Sequence, residues 1–151
     1  MIDNTVRPSI RYLAQLNKAS GAPSGYVRLY RAVSQIEHDT WINTGKLLLI
    51  TGEKFFTTDI RYINRIKGEI HKGKRVFKDR KISHVISIDV PLVYFDGKLA
   101  KKGSPNLPIE FKSLPSFKAG NKSLIQVKCE KGCINLGFFS QERLNEIVSY
   151  L

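Results

Sequence analysis

The sequence predicts an α+β fold in which helices flank a small central antiparallel or mixed β-sheet. Helical periodicity appears near both ends and in the middle of the chain, and several short segments alternate apolar and polar residues as strands do. The two kinds of segment do not follow the regular strand–helix–strand order of a parallel sheet. With 151 residues, of which 42% are hydrophobic, the chain is long enough for one domain with its own core.

The chain begins with a predicted helix that a flexible linker separates from the rest of the protein. Pro8 suits a first helical position. An apolar stripe at helical spacing comes next, formed by Ile10, Leu13 and Leu16. Because residues 20–25 are rich in Ser, Gly and Pro, we divide the chain into an N-terminal helix and linker, residues 1–25, and a single α+β domain, residues 26–151. Whether this helix is an appendage or part of the core stays open.

The next segments alternate between strand and helix patterns. Residues 26–31 alternate as a strand, and Ser34 with Glu37 has the spacing of a capping box, which predicts a helix that ends at 43–45. Short strands are expected at 47–50 and 54–57. A second helix, capped by Thr58 or Asp59, comes after them with isoleucines at helical spacing.

The second half of the chain predicts three more strands and a closing helix. The strands are expected at 84–90, 124–130 and 134–139, with a turn at Asp96-Gly97. Residues 101–121 contain prolines, glycines and serines, which suggests a long ordered loop over the surface. Ser140 is expected to cap a helix whose inward side chains are Leu144, Ile147, Val148 and Leu151.

The charge balance points to a polyanion as the partner, and RNA is the expected one. Lys and Arg number 25 against 13 Asp and Glu, which leaves a net charge of +12 at pH 7. The sequence contains no apolar run near the length of a membrane span and no apolar signal segment at its start. Residues 65–81 are the densest basic stretch. The expected RNA-binding residues are Lys54, Arg65, Lys67, His71, Lys72, Lys74, Arg75 and Lys78.

No metal site or Gly-rich nucleotide loop is predicted. Cys129 and Cys133 are the only cysteines, and no second pair completes a zinc site. They are interpreted as two packing thiols, with a disulfide across a hairpin as the alternative. The histidines, His38, His71 and His84, do not have the spacing of metal ligands.

Candidate catalytic residues lie on two predicted strands. Gln126, Lys128 and Glu130 share one face of a strand, which is either a solvated face or part of a site. Arg31 stands in the apolar phase of the first strand, where an arginine either holds an anion or extends to water. We expect Arg31 to converge with Lys128 and Glu130.

Two further kinds of residue complete the candidate catalytic set. Thr57 and Thr58 lie at a strand-to-helix junction, where free amides favour phosphate, although capping alone also explains Thr58. His84 is in the apolar phase of its strand and is either a core histidine or a general base.

Three stretches together resemble the C-terminal toxin modules of bacterial polymorphic toxins of the Rhs and contact-dependent growth-inhibition kinds. They are residues 29–34 with Glu37 and Thr44-Gly45, then 55–58, then 126–137, and the resemblance covers 26–151. It implies an enzyme that a larger secreted effector delivers into the cytoplasm of a neighbouring cell and that a cognate immunity protein neutralises.

The resemblance implies one of two activities. One is RNA cleavage, frequently of transfer RNA and sometimes assisted by a translation factor; the other is ADP-ribosyl transfer from NAD. ADP-ribosyltransferases carry an arginine on a first strand, a Ser-Thr-Ser strand and a Gln/Glu-x-Glu pair, and Arg31, Thr57-Thr58 and 128–130 come in that order. Threonines replace the serines and Lys128 replaces the first acidic or amide residue, which weakens this likeness.

The expected function is therefore that of a toxin-type ribonuclease acting on transfer RNA without a cofactor. Such an enzyme needs a base, an acid and cations beside the scissile phosphate. The alternative is an NAD-dependent ADP-ribosyltransferase that uses the same residues, with Glu130 stabilising an oxocarbenium-like centre and Arg31 holding a phosphate. A third possibility is an RNA-binding domain without catalysis, in which Glu130→Ala changes no activity.

Overall fold

The computed structural model describes residues 8–18, 21–49, 52–103, 106–130 and 133–151, except for the side chains of Pro8, Ser9 and Glu130. In these ranges the helices are α1 (Pro8–Lys18), α2 (Gln35–Thr44), α3 (Ile60–His71), α4 (Ile109–Lys112) and α5 (Gln141–Val148), and a 3₁₀ turn spans Leu92–Phe95. The strands are β1 (Tyr26–Val33), β2 (Lys54–Thr57), β3 (Val76–Phe77), β4 (Arg80–Lys81), β5 (His84–Pro91), β6 (Leu99–Lys101), β7 (Ile125–Glu130) and β8 (Cys133–Phe138). None of the described helices is long and apolar enough to cross a membrane.

Six of the strands form one mixed sheet, which confirms the predicted α+β class. Their order is β5-β1-β2-β8-β7-β6, and β3 and β4 form a separate two-stranded hairpin. Neighbours in the large sheet run antiparallel except β6 and β7. The strands β1 and β2 share a single register pair, Tyr30 with Thr57, and separate beyond it.

The main hydrophobic core covers one face of the sheet. It contains Val27, Leu29 and Val33 from β1, apolar residues from the other five strands, and side chains from α1, α4 and α5. In α1, Leu13 is fully buried and belongs to this cluster. The N-terminal helix therefore packs in the core and is not an appendage, because its apolar stripe faces the sheet.

The opposite face of the sheet carries α3 and the β3–β4 hairpin. A smaller cluster forms there from Ala32 of β1, Ile66 of α3 and Ile82, with Tyr62 and Phe77 packed against it. This cluster covers only the β5–β1 side of that face, so α3 and the hairpin stand over the place where β1 and β2 separate.

The caps that the sequence predicts are present. The backbone N–H of Glu37 donates to Ser34 at the start of α2, and Gly45 ends that helix in the left-handed conformation with φ 70°. Asp59 caps α3 and Ser140 caps α5. Only half of the predicted capping box forms, because the Glu37 carboxylate is bound elsewhere.

Three predictions of local structure are wrong. Residues 47–49 form no strand, because the side-chain amide of Gln141, and not a neighbouring strand, binds the backbone of Leu47 and Leu49. The last residue of that predicted strand, Ile50, lies outside the described residues. The segment 101–121 is not a surface loop throughout, because it includes α4 and buries side chains in the core: Leu107, Phe111 and Leu114. Leu151 lies beyond the end of α5 and is exposed.

Candidate functional site

A cleft lies between the sheet and the α3 helix, on the face opposite the main core. It encloses about 620 Å³, which is within the roughly 300–1,000 Å³ of sites that bind small molecules. We call it the α3 cleft, and its lining residues are Tyr30, Arg31, Ala32, Phe55, Phe56, Thr57, Asp59, Arg61, Tyr62, Ile63, Arg65, Lys78, Arg80, Cys133 and Asn135.

Arg31 lies at the floor of the α3 cleft, where β1 and β2 separate. Its Nη1 donates to the carbonyl oxygen of Phe55 at 3.0 Å. Its Nε and Nη2 donate to the two carboxylate oxygens of Glu37 at 2.7 and 2.9 Å. The side chain is 12% exposed, so a two-point ion pair in a largely dry place fixes the guanidinium.

Glu37 is the carboxylate that holds this group of charges together. Its Oε1 also accepts from the ammonium of Lys54 at 3.1 Å. Burial opposes ionisation of Glu37, but the hydrogen bonds and charges of Arg31 and Lys54 outweigh it and lower its pKa. Glu37 therefore stays ionised at neutral pH and is fully engaged by its partners.

A third cation, Arg80, approaches the same place from the β3–β4 hairpin. Its Nη2 donates to the carbonyl oxygen of Ala32 at 2.9 Å. Burial lowers the pKa of Arg80, and repulsion from Arg31 lowers it further. Arg31 and Lys54 thus share the Glu37 carboxylate, Arg80 adds a third positive charge close to Arg31, and the surplus positive charge favours an anion in the cleft.

The sheet wall of the cleft is a row of polar residues in register. Tyr30 pairs with Thr57, Thr57 with Asn135, and Asn135 with Lys128. Thr57 lines the cleft, and its hydroxyl accepts from the Asp59 N–H at 3.1 Å. Thr58 has a structural role, because its N–H and hydroxyl both donate to the Ile134 carbonyl oxygen.

The opposite wall comes from α3 and the hairpin. Arg61 and Arg65 are one helical turn apart and line the cleft with Tyr62. The ring of Phe77 packs against Tyr62 with centroids 6.0 Å apart. Arg65 and Lys78 lie over the Phe77 ring at 5.7 and 5.6 Å.

Only some of the predicted catalytic residues come together. Arg31 and Thr57 both line the α3 cleft, whereas Lys128 does not. Lys128 lies on β7, three strand positions from Arg31 on β1, so the expected convergence of Arg31 with Lys128 does not occur. The backbone of Glu130 pairs with the cleft residue Cys133, and its side chain lies outside the described part of the chain.

His84 is neither a core histidine nor a cleft residue. It is exposed at the first residue of β5, the edge strand of the sheet, and its ring stacks on that of His38 with centroids 3.5 Å apart. Its Nδ1 lies 2.6 Å from the Ser83 hydroxyl. His71 is exposed at the end of α3. Among the described residues, no histidine lines the cleft.

The predicted RNA-binding residues fall into two groups. Arg65 and Lys78 line the cleft, and the other exposed members extend from it along α3 and the hairpin. In that extension Lys72 and Lys74 pair with Glu69 at 3.9 and 2.8 Å; the remaining members there are Lys67, His71 and Arg75. Lys54 is different, because it is buried against Glu37 and presents no cation to the surface.

Several cleft residues were not among the sequence candidates. Arg61 precedes Arg65 by four residues on an amphipathic helix, and that spacing is a signal that pairs them on one side. Arg80 is a cleft residue only because β3 and β4 turn back on each other, with Lys78 and Asp79 at φ 47° and 64°. Nothing in the sequence distinguishes Arg80 from its basic neighbours.

The two cysteines form no disulfide with each other and lie on opposite faces of the sheet. Cys129 belongs to the main core and is in register with Ile134, while Cys133 lines the cleft. Among the described residues, no three His, Cys, Asp or Glu gather in a group that could hold a metal ion.

Neither the models of known protein families nor the curated proteins include a match to this chain.

Proposed function

We propose that this protein is an enzyme that binds NAD in the α3 cleft and transfers ADP-ribose from it. The observation that carries the proposal is the meeting of Arg31, Arg80 and Thr57 with aromatic side chains in one cleft of about 620 Å³. Partly buried guanidinium groups suit the two phosphates of NAD. The rings of Tyr30, Phe55 and Tyr62 offer surfaces against which a flat heterocycle stacks.

The geometry of Arg31 supports a phosphate-holding role. Its guanidinium is oriented by Glu37 and by the Phe55 carbonyl before any ligand binds. A preorganised cation of this kind loses little entropy when a phosphate arrives. Glu37 and Lys54 are positioning residues in this proposal, because they act through Arg31.

The proposed reaction begins with departure of nicotinamide. The bond between ribose C1′ and the nicotinamide nitrogen breaks, and its electron pair neutralises the pyridinium ring. The ribose becomes an oxocarbenium-like centre that a carboxylate stabilises, for which we propose Glu130. A nucleophile then attacks C1′ and releases its proton. This departure step needs a carboxylate and phosphate-binding cations, whereas a ribonuclease needs both a base and an acid beside the scissile phosphate.

Release of nicotinamide from NAD tests the proposal directly. We expect the purified protein to release nicotinamide, and Glu130→Gln to lower kcat on the order of 100-fold, the typical effect of removing a group that stabilises transition-state charge. We expect Arg31→Lys mainly to raise KM, because lysine keeps the charge but loses the two-point geometry.

Glu142→Gln is the matched control, since it removes an exposed carboxylate on α5 and changes the net charge equally. It should leave nicotinamide release unchanged. A folded protein that neither binds NAD nor releases nicotinamide, with or without a cell extract, would overturn the proposal.

RNA cleavage is the second candidate, and the exposed cations at the cleft mouth favour it. Arg61, Arg65 and Lys78 are exposed there on a chain with a net charge of +12. Incubation with total RNA or transfer RNA in the absence of NAD separates the two candidates. Defined RNA fragments without NAD, lost in Arg31→Lys, would favour this reaction over ADP-ribosyl transfer.

The biological setting remains a proposal that rests on the sequence resemblance. In it, a larger effector delivers the domain into the cytoplasm of a neighbouring cell, and an immunity protein protects the producing cell. Expression of the chain in a bacterial cytoplasm, with Glu130→Gln as the inactive partner, tests whether the activity is toxic.

A further inference from the structure

We infer that the acceptor of the transferred ADP-ribose is RNA, held by the cations at the mouth of the α3 cleft. This inference rests on the proposed function, because it names the second substrate of the same site. We call the three exposed cations Arg61, Arg65 and Lys78 the mouth cations.

The mouth cations are positive charges with little local compensation. Asp59 is the only acidic residue that lines the cleft among the described residues. Its carboxylate accepts from the backbone N–H groups of Arg61 and Tyr62 as the cap of α3. The Arg61 side chain lies 3.8 Å from it and is 85% exposed, so this contact compensates little of the arginine charge.

The positive surface continues away from the mouth along α3. Beyond Arg65 come Lys72 and Lys74, which share the single carboxylate Glu69. From Arg61 to Lys72 the helix spans about 16 Å at 1.5 Å per residue. A row of cations of this length suits the repeated phosphates of a nucleic acid strand, because each contact releases counterions.

The mouth also offers flat surfaces for an unpaired base. Arg65 and Lys78 both lie over the ring of Phe77, and that ring packs against Tyr62. Unpaired RNA bases stack on guanidinium planes and aromatic rings, whereas duplex RNA keeps its bases stacked internally. We therefore expect a single-stranded loop or end of RNA beside the cleft.

The transfer step balances without a further reactant. An oxygen nucleophile of the RNA, such as a ribose hydroxyl or a terminal phosphate, forms a bond to C1′ of the ADP-ribose. The C1′–nitrogen bond to nicotinamide breaks with its electron pair on nicotinamide. The proton of a hydroxyl nucleophile passes to solvent, and a phosphate nucleophile has none to lose at neutral pH.

The test incubates the full chain with NAD that carries biotin on its adenine, in the presence of total RNA and total cell protein. We expect the label to appear on RNA, to resist protease and to disappear with ribonuclease. Label that resists ribonuclease and disappears with protease would overturn the inference and leave the proposed function standing. Nicotinamide release with neither macromolecule labelled would do the same. Absence of nicotinamide release would instead overturn the proposed function itself.

A triple variant of the mouth cations, Arg61→Gln, Arg65→Gln and Lys78→Gln, probes the binding surface. We expect RNA labelling to fall at least tenfold at physiological salt. The slope of log labelling rate against log salt should become shallower by roughly 2, because each lost phosphate contact on a single strand contributes about 0.7.

A second triple variant with the same loss of charge serves as the control. It replaces three exposed lysines that do not line the cleft with glutamine: Lys18, Lys46 and Lys118. Its RNA labelling should stay within twofold of the parent. Equal losses in the two triple variants would show that net charge alone attracts the RNA, and that result would overturn the assignment of RNA to the mouth.

Discussion

Glu37→Gln is expected to destabilise the fold strongly at neutral pH, although the two side chains have nearly the same shape. Glu37 is the one carboxylate shared by Arg31 and Lys54. Glutamine keeps an acceptor but removes the negative charge, so the buried cations lose the group that compensates them.

The magnitude depends on the burial of the group. Removing one partner of a buried ion pair costs roughly 3–5 kcal/mol. Because Glu37 is 15% exposed and its partners 12% and 9%, we expect a loss at the lower end of that range, about 3 kcal/mol. For a chain of this size the midpoint of thermal unfolding should fall by about 6–12 °C.

The loss should also depend on pH in a defined direction. The pKa of Glu37 is lowered in the folded chain, so its charge stabilises the fold above the unfolded pKa of about 4.3. As the pH falls through the lower folded pKa, the parent carboxyl takes up a proton and this stabilisation is lost. The difference between the parent and Glu37→Gln should therefore shrink in acid.

Urea denaturation at pH 7 and at several acidic pH values measures both effects. Glu53→Gln is the matched control, since it removes an exposed carboxylate with the same change in net charge. Adding Lys54→Met to Glu37→Gln should recover part of the loss, because the pair is then replaced as a unit. If Glu37→Gln loses no more stability than Glu53→Gln, or if the difference persists unchanged at pH 3, the charge cluster does not hold β1 against β2.

Two further substitutions test the walls of the cleft. In Gly137→Ala the added Cβ would lie 2.6 Å from Cε1 of the Phe55 ring, so we expect the free energy of unfolding, measured by chemical denaturation, to fall by roughly 1–3 kcal/mol. Adding Phe55→Leu should recover most of this loss. A Gly137→Ala variant as stable as the parent would contradict the close contact. Asp59→Ala removes the acceptor of two backbone N–H groups and should lower the free energy of unfolding by about 1 kcal/mol. Amide hydrogen exchange should become faster only in the first turn of α3. Equally faster exchange along the whole chain would contradict a capping role.

The elements of the fold were predictable where local chemistry decides them. Ser34, Asp59 and Ser140 cap their helices as expected, because a cap depends on residues within one turn. Residues 47–49 escaped prediction since their backbone is bound by Gln141, which lies more than ninety positions along the chain. The two-residue strands of the β3–β4 hairpin are too short to show a periodicity.

The candidate site was only partly predictable, because sheet register decides which polar residues meet. Arg31 stands in the apolar phase of β1, and its partner Glu37 lies six residues away on the next helix. The sequence pattern indicates a capping box at Glu37 and does not indicate its ion pair with Arg31. Lys128 has the right residue type for a site, but its register with Asn135 places it beyond the cleft lining.

The single register pair between β1 and β2 has a consequence for how the sheet unfolds. On one side of this register pair, β1 pairs with β5 along eight consecutive positions. On the other side, β2 pairs with β8 along four. The sheet therefore consists of two halves that only one register pair joins, and the ion pair of Arg31 with Glu37 lies at that junction. A ligand that contacts both halves at once, through Arg80 on the β1 side and Thr57 on β2, would hold the two halves together. Its binding energy would then appear as resistance of the whole sheet to unfolding.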